Sequence, residues 1–374
     1  MHEAIAGTTF DSLQRVPGLS VPTRIVQGVH DAISQGVYAA VRHGGHAALT
    51  LAAGAERLAT DPARQASGKE LSLRSALNGV MGDTLAESGN PLAVQMGLFA
   101  EGAPMDVSPA ALAELPARVC LFIHGLACDE QSWQRRTEAW ATSAWADDNR
   151  LPDYGALLRQ ELGIRPVYLR YNTGLAIDHN AAQLAVLMAR LSVAAPQVRE
   201  WTLVGHSMGG LVARAALEAA RADGQAWAAR VPMLVCLGSP HQGAPLEQLG
   251  HLTSKALSMT ATTKPLARIA DARSQGIKDL RHGPKGGRRS KTAASPLALR
   301  LVAGTLGDEG DAAMGSLIGS LLGDGLVMSS SASDTGLTGD VQRVELQGLS
   351  HMALLNHPRV YAVLRGWLGA VPLL

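Results

Sequence analysis

Cysteine is scarce in this chain. Only Cys120, Cys128 and Cys236 occur in 374 residues, too few for the disulfide framework of a small secreted scaffold. Cys120 and Cys236 sit in strand-like apolar runs and read as buried side chains, while Cys128 follows a His-Gly turn. The composition argues against a Cys120–Cys128 bridge. Aromatic residues make up only 4% and the net charge is +1, so neither a base-stacking surface nor an electrostatic footprint for nucleic acid is present. No apolar run approaches the roughly eighteen residues of a membrane span. The start, Met1-His2-Glu3-Ala4-Ile5, carries an acid with no long apolar stretch behind it. That is not the pattern of a secretory signal, and a cytoplasmic location is the expectation.

Apolar residues are plentiful. Hydrophobic content is 47% against 17% charged, enough for a sizeable core in one large domain or a domain with an appendage. Residues 1–115 read as a helical extension. Ile25, Val26, Val29, Ile33, Val37, Ala40 and Val41 recur at helical spacing between residues 23 and 59. A second helix is expected over about 70–87 and a third over 92–99. From about residue 116 the pattern becomes strands alternating with helices. Apolar runs end at Ile123, Tyr171, Val204, Leu237, Ala303 and Leu346, and helical stretches begin at Tyr154, Asn180 and Pro358. About six strands in this rhythm predict an α/β fold, a doubly wound, mostly parallel sheet with helices on both faces. Residues 241–296 interrupt it without a strand, too long for a plain loop. Their first half suits a helix. Their second half carries Lys278, Arg281, Lys285, Arg288, Arg289 and Lys291 among glycines. It reads as a solvated basic loop, or as a lid-like insertion able to meet an anionic lipid interface transiently.

One hexapeptide carries the chemistry. Gly205-His206-Ser207-Met208-Gly209-Gly210 follows the strand-like Trp201–Val204 and opens a helix-like run at Leu211. Strand, Gly-x-Ser-x-Gly and helix together form a nucleophile elbow. The glycines let the turn close, and Ser207 is lifted to the positive end of the following helix. A serine needs a base in reach, and the base an orienting acid. His351 stands between the last expected strand and the last helix, at the carboxyl end of the sheet where such a base belongs. His206 is expected to pack beside the serine, and His357 to cap the final helix. Two carboxylates compete as the acid: Asp324, in Gly323-Asp324-Gly325-Leu326-Val327, and Asp308, nearer the preceding strand. The oxyanion needs two N–H donors. The amide of Met208 is one, and that of Leu126, in His124-Gly125-Leu126 after the first core strand, is the other. His124 reads as an anchor of that turn. The cluster Asp308, Glu309 and Asp311 reads as a solvated turn, and no metal is expected. Trp133, Leu175 and Leu246 are expected as apolar substrate contacts.

His124-Gly125-Leu126, the elbow, Gly238-Ser239-Pro240-His241-Gln242-Gly243 and Gly323-Asp324-Gly325-Leu326-Val327, in this order, resemble the α/β-hydrolase superfamily. Within it they are similar to bacterial esterases and triacylglycerol lipases, including the group like GPI inositol-deacylases. The resemblance spans about residue 116 to the C-terminus and implies a catalytic domain over 116–374, with the insertion 241–296. It favours Asp324 over Asp308 and implies the set Ser207, Asp324 and His351. It also implies hydrolysis of small-molecule or lipid carboxylic esters, without a cofactor. The leading hairpin usual in that superfamily is not visible within 1–115, and the missing signal favours an intracellular ester. The same triad would serve a thioesterase or an acyltransferase. A non-catalytic binding module is the third reading, against which the intact set argues.

Overall fold

In the computed structural model the described residues are 68–135, 137–146, 152–241, 274–282, 297–305 and 339–370. The chain divides into two compact units, Met1–Ser67 with Thr84–Ala93, and Gly68–Asp83 with Val94–Leu374. In the first, only Thr84–Ala93 is described. It is a helix end and turn in which Asn90 N donates to Leu85 O at 2.9 Å. The helix expected over 23–59 lies outside the described residues.

The second unit contains an eight-stranded sheet of order β2-β1-β4-β3-β5-β6-β7-β8. Its strands are β1 (Gly97–Ala100), β2 (Ala103–Pro104), β3 (Arg118–Ile123), β4 (Arg165–Arg170), β5 (Glu200–His206), β6 (Met233–Leu237), β7 (Ala298–Thr305) and β8 (Val341–Gln347). From β4 through β8 all neighbours run parallel. The near-continuous apolar runs of β3, β5 and β6 follow from this, because parallel strands are covered on both faces; β5 and β6 are buried at every position. Strand β8 ends the sheet and turns Gln342, Arg343, Glu345 and Gln347 outward, polar side chains of the kind that discourage edge pairing.

Helices are α1 (Gly68–Glu87), α2 (Pro109–Leu112), α3 (Tyr154–Leu162), α4 (Ile177–Ala194), α5 (Met208–Ala222), α6 (Gln275–His282) and α7 (Pro358–Gly369). Their ends obey local chemistry. Asp153 accepts from Ala156 N at the start of α3, and Gly163, at φ 64°, closes it. His357 caps α7 through Arg359 N, as expected. The last described turns bury Tyr361, which stacks on Tyr154 at 6.4 Å between ring centroids. No described helix is long and apolar enough to cross a membrane.

Three expectations are corrected. Residues 92–99 do not form a helix: Leu98 and Phe99 lie in β1, paired antiparallel with Leu169 and Tyr168. A short apolar run reads equally as helix or strand, and here the free edge of β4 decides. A leading hairpin is also present. Ala100 and Ala103 are paired across Glu101 and Gly102, whose φ values are 52° and 80°. That two-residue turn with both φ positive is the primed type favoured in hairpins. Glu-Gly carries it in place of the more telling Asn-Gly or Asp-Gly, so the sequence signal is weak. Finally, the insertion's basic half is not all loop, since Lys278 and Arg281 belong to α6.

Candidate active site

The elbow is held from several sides. Ser207 sits between β5 and α5 at φ 53°, ψ −121°, a region that costs a non-glycine residue about 1–3 kcal/mol. Ser207 N donates to Leu237 O at 2.8 Å, and Gly210 N to Ser207 O at 3.2 Å. The turn closes only because its flanks lack side chains. A Cβ on Gly205 would strike the Gly210 backbone, and one on Gly209 the carbonyl of Ile123. Helix α5 thus starts hard against the end of β3, with Met208 as its first residue. Its unpaired N–H groups and dipole favour negative charge there.

The turn His124–Asp129 leaves the end of β3 beside the elbow. The site of a Cβ on Gly125 lies 3.0 Å from Ser207 Cβ, so the loop carrying Leu126 lies against the serine. His124 is buried, stacks on Tyr171 at 4.6 Å, and its Nδ1 lies 3.0 Å from Gly125 O. Burial pushes the imidazole pKa down. The neutral ring is then assigned its proton on Nδ1, where it can donate to that carbonyl. Further along, buried Asp129 accepts from Arg135 at 2.9 Å, and Glu130 accepts from Arg170 Nε at 2.7 Å. Arg170 in turn lies over Phe99 at 3.9 Å. These pairs tie the loop to β1 and β4.

His351 opens a short helical turn, His351–Leu355, capped by Ser350 accepting from Ala353 N. Its ring lies 4.6 Å from that of His206. The face of Gly238 receives it: a Cβ there would come 2.8 Å from Nδ1, and Gly238 is at φ 62°. His206 does more than pack, since its Nε2 lies 3.0 Å from His351 O. Sequence reasoning gave His206 and Gly238 no such part; the elbow and Gly-Ser-Pro motifs contain them, but nothing local shows the partner.

The structure therefore brings Ser207, Met208, the Leu126 loop and His351 to one end of the parallel strands. Asp324, its competitor Asp308, and Leu246 lie outside the described residues. Leu175 is half-buried in the turn after β4, where its N–H donates to Asn172 O. Trp133 is 1% exposed, 5.0 Å from Phe122 and edge-on to His206, so its ring packs beside the elbow. The three cysteines are buried. Burial pushes the Cys236 thiol up to about 12 and Cys120 higher still, which leaves both unreactive.

Comparison with known proteins adds a family to this geometry. Residues 164–287, spanning β4 through α6, match the PGAP1-like alpha/beta domain. No curated protein matches the chain. Among solved structures, a Bacillus licheniformis lipase in mature form is similar at TM-score 0.45 and 19% identity, over 68% of this chain and 95% of that one. An esterase from Thermogutta terrifontis is similar at 0.41 and 14%, over 68% and 90%. A bottromycin epimerase is similar at 0.39 and 12%, over 69% and 92%. The matched domain and the mostly parallel strand order agree with the α/β-hydrolase resemblance carried by the motifs.

Proposed function

We propose that this protein is a serine hydrolase that cleaves carboxylic esters through an acyl-enzyme on Ser207. The observation that carries the reading is the strained Ser207 at φ 53° on the β5–α5 turn, with a histidine ring seated on Gly238 beside it. Strain of this kind persists only where the surroundings over-determine it, and it clusters at reactive residues. In this reading Ser207 Oγ attacks the acyl carbonyl while His351 takes its proton. The amides of Leu126 and Met208 hold the tetrahedral oxyanion. His351 then returns the proton to the leaving alcohol. Water repeats the sequence and releases the acid. Asp324 fixes the imidazole tautomer and supports its cationic form.

The test is hydrolysis of p-nitrophenyl esters from acetate to palmitate, alongside labelling by a fluorophosphonate. Wild-type protein is expected to turn over and to label, and Ser207→Ala to lose activity by a factor on the order of 10⁵–10⁶. Unlabelled, inactive wild-type protein with intact secondary structure would overturn the reading. The chain-length optimum separates an esterase from a lipase.

A further inference from the structure

The sequence leaves α1 without a role, yet its first part belongs to the same compact unit as the elbow. The helix is kinked at Met81, at φ −135°, ψ 18°, between Gly79 and Gly82, and glycine is a common cause of such kinks. At the kink its carbonyls accept side chains from far along the chain. Ser274 Oγ donates to Gly79 O at 2.7 Å, and Asn172 Nδ2 to Gly82 O at 2.8 Å. The turn after β4 is drawn in by the same contact, because Asn172 Oδ1 also accepts from Gly174 N at 3.0 Å. Gly276 N donates to Gly174 O at 3.0 Å, which adds the start of α6.

All of this closes on one residue of the oxyanion loop. Ala127, directly after Leu126, is held at φ 58°, where a side chain disfavours the backbone. Ala127 N donates to the buried Thr173 Oγ1 at 3.1 Å. Its Cβ lies 2.7 Å from where a Cβ on Gly79 would stand, and its Cα 3.0 Å away. Arg135 ties a second point, donating both to Ser72 on α1 and to Asp129 on the loop, at 2.9 Å each.

We propose that α1 is a positioning element for the oxyanion hole. Its kinked stretch Gly79–Gly82, acting with Thr173, locks Ala127 in the left-handed conformation and so fixes the Leu126 amide beside Ser207. The proposal rests on the serine-hydrolase reading above. Neither Gly79 nor Thr173 touches substrate; both act through the backbone of the loop. A displacement of about 1 Å in such a donor is enough to cost roughly a hundredfold in rate.

The experiment measures the rate of Ser207 labelling by a fluorophosphonate together with kcat and KM on a p-nitrophenyl ester. Labelling sets the phosphonyl oxygen in the same hole as the Ser207 oxygen bonds to phosphorus, fluoride leaves and His351 takes the serine proton, so it reads the hole without knowledge of the natural substrate. Gly79→Ala is expected to slow labelling and lower kcat about 10- to 100-fold, with KM within about threefold of wild type. Thr173→Val is expected to do the same more mildly, and Thr173→Ser, which keeps the acceptor, to recover most of the loss. This second pair decides the matter if Gly79→Ala does not fold. A Gly79→Ala protein that labels at the wild-type rate overturns the proposal while leaving the hydrolase standing, as does a Thr173→Val protein equal to Thr173→Ser. A change in KM alone also overturns it. A wild-type protein that does not label sinks the hydrolase reading and this proposal together.

Discussion

The elbow and the Leu126 loop meet at Ser207 but are built in opposite ways. The elbow's turn is closed by neighbours in sequence, with Leu237 and Ile123 bracing it from outside. Gly205, Gly209 and Gly210 clear its crossing, and Gly210 N reaches back to Ser207 O. The Leu126 loop is assembled from strangers: Ser72 and Gly79 of α1, Thr173 after β4, and Ser274 before α6. Each loop holds a non-glycine residue at positive φ, Ser207 at 53° and Ala127 at 58°. A strained backbone can therefore be imposed by local crowding or by distant packing. Only the first leaves a motif.

The contrast can be broken first on the elbow's side. Gly238→Ala places a Cβ 2.8 Å from His351 Nδ1 on a residue at φ 62°. It is expected to lower kcat about a hundredfold through the displaced base, and to shift the pH–rate profile. Circular dichroism and kinetics on the same sample check it; an unchanged kcat would separate His351 from the reaction. On the other side, Asn172→Ala removes both the donor to Gly82 O and the acceptor for Gly174 N from a buried position. Leaving such groups unpaired costs about 1–3 kcal/mol each, so urea unfolding should show a loss of about 2 kcal/mol or more. A midpoint equal to wild type would mean that these contacts do not hold the wall.

A smaller effect sharpens the comparison through pH. Burial lowers the pKa of His124 below the ordinary 6.5. The native ring stays neutral while the unfolded chain protonates, so this group's stabilisation is present above pH 6.5 and is lost as pH falls from there toward its lowered folded value. The slope is at most about 1.4 kcal/mol per pH unit. Thermal midpoints from pH 8 to pH 5 should decline less steeply in His124→Asn than in wild type. Parallel declines would assign the acid sensitivity to other groups.

What could be read from the chain follows the same division. Strand periodicity, the elbow and the capped helices such as Tyr154–Leu162 were legible because their determinants lie within a few residues. The β1–β2 hairpin was not, since Leu98 and Phe99 become a strand only against β4. Helix α6 was hidden by its charge and by the glycines after it; what holds its start is Asp83, which accepts from Gln275 N at 2.8 Å. The packing of Trp133 was hidden too, because a large apolar side chain near a site motif can face either way, and its contacts with Phe122 and Tyr154 come from distant parts of the chain. The His206–His351 contact was equally invisible, joining positions 145 residues apart.

The hydrogen bond from Ser274 to Gly79 has a further consequence, in time. It spans 195 residues, and closing so long a loop carries an entropic cost that must be met before the contact rewards it. A chain emerging from the ribosome exposes α1 early but cannot close this bond until Ser274 has followed. Leu237 and Ser239, which brace the serine turn, are synthesised sooner, whereas His351, which meets His206, follows later still. The nascent chain can thus shape its serine turn before the clamp beside it exists.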